Sequence, residues 1–381
     1  MRTELYEGLR AASERDALPA VTAYNRIDGP GSSLDLREFQ QALWSLPRIP
    51  VDHPADPAAI WTKHLPRTVG ITIDVGIRVE ARPFKPGLIA VRSHDYGTNV
   101  VGQPGRVHPS KENWLLKIIE IFGLSGVEFA LRNTHPGLKS CGLGGSATAT
   151  TAVCILANEL AGRPFGPIQL VALASRMEQD LGVSITGTQE QSNVVFGGVT
   201  DYVWFPWGVP GCPDTGYGHS IRYELIPKKN FPELEQRMAI FHTGDDRAST
   251  DVNAVWTKLL GSKKGYSLHQ QKLELAYHFR EGLRLHDWRR AIAATEDYRS
   301  IRTKLCSAYM KGADKMMRVA KSFGGTAFPL GAGGGGAVLI LAPDGKASQT
   351  IRDRLAKTHR EIPYKMRCRG YESENTEEGT K

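Results

Sequence analysis

Three glycine-bearing segments hold the residue types that could do chemistry. The first, CGLGGSAT from Cys141 to Thr148, places three glycines in four residues directly before an Ala-rich run. Glycine frees the backbone for positive φ and for close approach to a ligand. The helix N-terminus predicted behind the loop offers unpaired N–H groups and the positive end of a dipole, and both favour phosphate. Ser146 opens that helix, so its hydroxyl either caps it or touches a phosphate or its magnesium. The loop matches neither GxxxxGK[ST] nor the GxGxxG of a βαβ unit. The second segment, GAGGGGA from Gly331 to Ala337, has five glycines in six residues between two apolar runs. Packing against a strand or close approach to a ligand would each account for it. The third, TGDDRAST from Thr243 to Thr250, puts Arg247 on a turn that ends an apolar run.

The elements around these loops follow from periodicity. Residues 2–15 predict a short amphipathic helix, and ALPAVTAYNRIDGPGSSLDL changes from a strand-like start to a Gly/Ser loop. Residues 37–66, rich in Pro and Trp, read as a partly helical insertion. From Thr68 to Ser93 the β-branched runs predict adjacent antiparallel strands. ENWLLKIIEIF has helical spacing, and GVEFALRNTHP reads as a strand. A long helix ends at Gly162 and Pro164, and a second runs from about Ile168 to Leu181. A polar loop then leads through VSITGTQEQSNVVFGG back into a strand. Residues 222–243 predict a strand pair ending in RMAIFHTG, residues 251–321 are helical in pattern, and the second glycine segment joins two strands. SENTEEGTK reads as a flexible tail or strand extension. The expected class is α+β with two lobes and no internal repeat.

Composition narrows the function classes. The chain has 381 residues, 41% hydrophobic and 23% charged, which is ordinary globular composition long enough for two or three domains. The longest apolar run, AVLILA, is far short of the ~20 residues of a membrane helix. The first residues lack the apolar core and cleavage site of a secretory signal, so a cytoplasmic protein is expected, with no membrane partner. Five scattered cysteines form no CxxC pair and read as reduced thiols. The net charge of +8 suits anionic ligands, but the basic runs are short and lack interleaved aromatics. Small phosphorylated ligands are therefore expected, and nucleic acid is not.

Taken in order, the segments resemble the GHMP kinase superfamily from Ala23 to about Tyr371. Its three motifs correspond to AYNRIDGPGSSLDL, PGLKSCGLGGSAT and LGAGGGGAVLILA. GTQEQSNVVFGGVTDY resembles the sugar-kinase segment in which a QDQ triplet precedes Phe-Gly-Gly, and TGDDRAS resembles a TGxxRxS segment. The nearest branch is that of the D-glycero-D-manno-heptose 7-phosphate kinases. The resemblance implies a ribosomal S5-like N-terminal lobe (residues 1–217) and a ferredoxin-like C-terminal lobe (218–381). It further implies an ATP- and Mg²⁺-dependent kinase acting on a hydroxyl of a sugar or sugar phosphate.

By the same resemblance, Gly142, Leu143, Gly144, Gly145, Ser146 and Ala147 wrap the ATP phosphates, and Ser146 and Glu178 hold Mg²⁺. Read from the sequence alone, an exposed helix carboxylate is the lesser alternative for Glu178. Glu190 is the implied general base and Arg26 the cation beside the transferred phosphoryl group. Asp35, Gly187, Gln191, Arg247 and Gly334 are the implied acceptor-site residues. The chain departs from the pattern in three places. Glu190 stands where the triplet has Asp, Gly-Ser-Ser-Leu-Asp replaces a triple-glycine sequence, and residues 37–66 exceed the compact heptokinases in length. Two other readings stay open: the same fold acting on a C7-cyclitol or another acceptor, and a catalytically weak sensor that binds ATP and sugar. The sequence does not give the oligomeric state.

Overall fold

The computed structural model describes residues 2–43, 65–95, 97–138, 141–205, 219–244 and 249–374. In chain order the first half comprises α1 (Arg2–Glu14), β1 (Ala20–Asp28), α2 (Arg37–Leu43), β2 (Arg67–Pro83), β3 (Ile89–Ser93), β4 (Thr98–Gly102), α3 (Trp114–Ile121), β5 (Val127–Asn133), α4 (Gly145–Leu160), α5 (Pro167–Asp180), α6 (Gln189–Phe196) and β6 (Val199–Phe205). There follow β7 (His219–Ile226), α7 (Phe231–Arg237), β8 (Met238–His242), α8 (Ser249–Leu260), α9 (Lys263–Arg284), α10 (Trp288–Leu305), α11 (Asp314–Lys321), β9 (Thr326–Pro329), β10 (Ala337–Leu341), α12 (Gly345–Leu355), β11 (Arg360–Glu361) and β12 (Tyr371–Glu374).

The long strand β2 organises the larger, eight-stranded sheet. Its first residues pair with β6, its last with β5, and β1 runs antiparallel beside it. The expected antiparallel contact between β2 and β3 is not made. Instead β5 lies between them, antiparallel to β2 and parallel to β3. A parallel pair needs a crossover. Here α3 supplies it, burying Leu115, Leu116, Ile118 and Ile119. The register of β1 against β2 slips between Tyr24 and Arg26, and two extra residues of β2 are accommodated there. Such irregularities re-aim side chains, and this one falls where β1 enters the site.

The smaller sheet has the order β11-β8-β10-β9, all antiparallel. β7 and β8, expected as a pair, belong to different sheets. The segment between them contains Pro227, a 3₁₀ turn and Pro232 at the start of α7, so it folds into helical turns instead of a hairpin. A division at 217/218 falls among residues outside the description. On its C-terminal side, β7 still pairs with β6, and β12 pairs with β1, so both lie in the larger sheet.

Helix α4 accounts for its own odd composition. Every residue from Ala147 to Asn158 is buried, and small side chains from Ala147 to Ala152 let its first turns pack closely on all faces. Its threonines satisfy their hydroxyls locally: Thr148, Thr150 and Thr151 donate to the carbonyls of Gly144, Ser146 and Ala147 at 3.0, 3.0 and 2.7 Å. Burial on every side holds the helix behind the glycine loop that precedes it.

Candidate active site

The loop Gly142–Gly145 meets α4 at Gly144, which caps the helix with φ 84° and ψ 24°. A residue with a side chain would be strained there, and its Cβ would lie 3.0 Å from Glu190 Cγ. Ser146 stands one residue inside the helix and does not cap it. Its hydroxyl donates to Glu178 Oε1 at 2.5 Å. Glu178 comes from α5 and is fully buried, so the reading of it as an exposed carboxylate falls away. Gln191 Nε2 donates to its other oxygen at 2.7 Å. Burial pushes Glu178 up to about 7, against the pull of the Ser146 and Gln191 hydrogen bonds.

Across the cleft, Arg26 projects from β1. Its Nη1 donates to Gly142 O at 3.3 Å and lies 3.6 Å from Asp28 Oδ1, while Nη2 is hydrogen bonded to Glu190 Oε1. Burial works against the guanidinium charge, but the carboxylates of Asp28, Glu190 and Asp35 outweigh it and raise the pKa. Glu190 occupies the first turn of α6, a helix where sequence periodicity pointed to a polar loop. Asp35 accepts the Gln189 N–H at 3.0 Å, and Gly187 packs so close that a Cβ there would lie 2.0 Å from Asp35 Oδ2.

These residues line one cleft of about 190 Å³: Arg26, Asp35, Gly142, Gly144, Gly145, Ser146, Ala147, Glu178, Gly187 and Glu190 all contribute to its wall. Three of the expected residues do not. Leu143 is fully buried in the hydrophobic core, and Gln191 is tied to Glu178. Gly334 donates its N–H to Tyr309 O at 3.0 Å, whereas Gly331 and Ala332 of the same segment reach the cleft. That segment is fastened to the first glycine loop where Ala337 N–H donates to Cys141 O at 2.5 Å. Arg247 lies outside the described residues.

Two features were missed. Asp28 is fully buried and accepts the Gly331 N–H at 3.0 Å. Its spacing of two residues from Arg26 on a strand puts both side chains on one face, and that was available as a signal. An apolar pocket of about 300 Å³, walled by Val91, Val100, Trp114, Leu131 and Ala149, shares Gly145 and Ser146 with the cleft. These five wall residues come from five separate elements, so no local pattern announces it.

Burial and then the Glu190 charge push Asp35 up to about 7, against the Gln189 N–H and Arg26. The folded state therefore holds a proton that the unfolded state releases near pH 4. Its contribution to stability is complete below that pH and is lost as pH rises through about 7. His269, held far below its usual range by burial and the Lys272 charge, contributes in the opposite sense. The comparison is accordingly with Asp35→Asn. Between pH 4.5 and 7, wild type loses stability relative to this variant by up to about 1.4 kcal/mol per pH unit. Urea unfolding of both proteins across that range measures it, and a pH-independent difference contradicts it.

Residues 113–198 match the family model for the GHMP kinases N terminal domain. No curated protein matches the chain by sequence. Among solved structures, a D-glycero-D-manno-heptose 1-phosphate kinase from Bacteroides thetaiotaomicron is 16% identical, with 93% of this chain and 98% of that one covered at a TM-score of 0.64. Streptococcus pneumoniae phosphomevalonate kinase, in complex with phosphomevalonate and AMPPNP, is 13% identical (91% and 99% covered, TM-score 0.67). The chain has the GHMP kinase fold. Lactococcus lactis galactokinase, complexed with galactose, shares it at 13% identity, with 97% and 99% covered and a TM-score of 0.63. Among the described residues no helix is long and apolar enough to cross a membrane.

Proposed function

We propose that this protein is an ATP-dependent kinase that transfers the γ-phosphoryl group to a hydroxyl of a sugar or sugar phosphate. The observation that carries the reading is the Arg26–Glu190 pair facing a glycine-bounded helix N-terminus across one cleft. The N-terminal match to the GHMP kinases and the shared fold support a phosphotransferase.

In this reading the N–H groups of Gly144, Gly145 and Ser146 receive the nucleotide phosphates, and the apolar pocket beside Trp114 receives the base. Glu190 orients the acceptor hydroxyl and takes its proton. Arg26 neutralises charge on the phosphoryl group in a loose transition state, where positioning and electrostatics do most of the catalytic work. Asp35 accepts a hydrogen bond from a second acceptor hydroxyl.

The Ser146 hydroxyl and Glu178 carboxyl suit Mg²⁺. They are two hard oxygen donors in contact at the cleft wall, and Glu178 has no cation paired with it among the described residues. With only two protein oxygens, phosphate and water complete the shell. The ion, when bound, neutralises phosphate charge.

The test is ATP turnover with Mg²⁺ across heptose 7-phosphate, free hexoses, C7-cyclitols and their phosphates, and phosphomevalonate. Turnover on a polyol or its phosphate is expected. Tight AMPPNP binding with no turnover on any acceptor contradicts the kinase reading and favours a sensor. Turnover confined to phosphomevalonate moves the acceptor to another class.

A further inference from the structure

Near Asp35 lie two buried cations, Arg302 in the cleft wall and Lys272 behind the first-motif turn. Arg302 of α10 and Lys272 of α9 are both fully buried. Among the described residues neither forms an ion pair. Each instead donates to a serine of the first-motif turn: Arg302 Nη1 to Ser32 Oγ at 2.6 Å, and Lys272 Nζ to Ser33 Oγ at 3.1 Å. Aromatic rings surround both. The Arg302 guanidinium lies 4.4 Å from the ring centroids of Trp256 and of Tyr309, and Lys272 Nζ lies 5.0 Å from that of Phe39 and 5.2 Å from that of Trp256.

Ring faces stabilise a desolvated cation by about 2 kcal/mol. Taking a charge out of water costs several times that, so buried charges are ordinarily paired. Here the serines supply only neutral oxygens, and Arg302 Nε has no hydrogen-bond partner. Arg302, Ser32 and Ser33 all belong to the cleft wall, as does Asp35 two residues beyond Ser33. Ser33 adopts φ 71°, a left-handed conformation uncommon for a residue with a side chain. The turn is thus held in an unfavourable form in which both of its serine hydroxyls accept from the cations. Burial and the neighbouring Arg302 charge also lower the Lys272 pKa well below its ordinary value, outweighing the Asp35 charge, and a further anion alongside would relieve that penalty.

We propose that Arg302 and Lys272, with Ser32 and Ser33, form an anion subsite for the acceptor, so that the substrate is a phosphate monoester of a polyol in preference to a neutral polyol. Two cations match the charge of about −1.5 to −2 on a phosphate monoester better than the single charge of a carboxylate. The guanidinium fork suits phosphate oxygens. The inference rests on the kinase reading, because the reacting hydroxyl must lie at Glu190 while the anionic group lies at Arg302.

The probe is inorganic phosphate, titrated calorimetrically into protein saturated with Mg²⁺ and AMPPNP, so that the nucleotide site is filled. Saturable binding is expected, at least about tenfold weaker in Arg302→Gln and in Lys272→Met, and largely retained in Arg302→Lys. In wild type, the Arg302 Nε–H resonance shifts as phosphate is added, and this readout needs no variant to fold. No saturable binding, or equal binding by wild type and a folded Arg302→Gln protein, overturns the proposal and leaves the two cations as a purely structural tie. Turnover separates the two hypotheses. Phosphate binding through Arg302 without turnover on any acceptor sinks the kinase reading alone. Turnover on neutral polyols without phosphate binding sinks the anion subsite alone.

Discussion

Glu190→Gln lowers kcat by at least about a hundredfold, the lower end of what a positioned general base contributes, while the affinity for AMPPNP stays within about twofold. The substitution preserves the side chain's size and its place on the first turn of α6, and removes only basicity and charge. The Arg26 guanidinium keeps its contacts with Gly142 O and Asp28. The nucleotide contacts proposed at the α4 N-terminus do not involve Glu190, so the loss belongs in kcat. Steady-state kinetics with the best acceptor, beside calorimetric AMPPNP titration, checks both halves. A kcat within about fivefold of wild type would mean that phosphoryl transfer here runs without a protein base, with Glu190 serving only to aim Arg26. The longer carboxylate at this position is no obstacle, because Gly144 leaves room beside its Cγ.

Arg26 gives the second large effect, and it divides into two parts. Arg26→Met leaves the carboxylates of Asp28, Glu190 and Asp35 without the cation that lies among them. Removing one partner of a buried ion pair destabilises a protein by about 3–5 kcal/mol, and urea unfolding at pH 7.5 is expected to show a loss of that order. Arg26→Lys keeps the charge but not the fork that reaches Gly142 O, Asp28 and Glu190 together. Its stability loss is smaller, yet kcat falls on the order of 10³, the scale set by an arginine that stabilises a transferring phosphoryl group. If Arg26→Lys retained most of wild-type kcat, Arg26 would be a structural counter-ion and the phosphoryl charge would be met elsewhere.

What could be read in the sequence was local. The glycine loops, the buried helix behind the first of them, and the positions of Arg26, Glu178 and Glu190 follow from short patterns and from the family resemblance those patterns carry. What escaped depends on distant pairing. β3 could not be separated from β2 without knowing that β5 would enter between them, since each strand's own alternation fits either neighbour. The helix at Gln189–Phe196 begins at Thr188 with no side-chain cap and ends in β-branched and aromatic residues, so local propensity argued against it. Lys272 and Arg302 lie on long helices with many charged residues, and nothing in their spacing marks these two as buried. The aromatic rings around them come from α2, α8, α10 and the 3₁₀ turn at 307–310.

The pairing of β1 with β12 bears on how the protein is made. Ala20 lies opposite Glu374, Tyr24 N–H donates to Gly370 O at 2.8 Å, and Arg367 N–H donates to Thr72 O at 2.9 Å. The strand carrying Arg26 therefore emerges from the ribosome long before the segment that covers its edge. At about 5–20 residues per second, the delay is roughly 20–70 s. Throughout that interval the nascent chain carries an uncovered strand edge, which is a template for pairing with other chains. The first lobe cannot be finished as an independent unit during translation. Full protection of that edge arrives only after β12 has been synthesised.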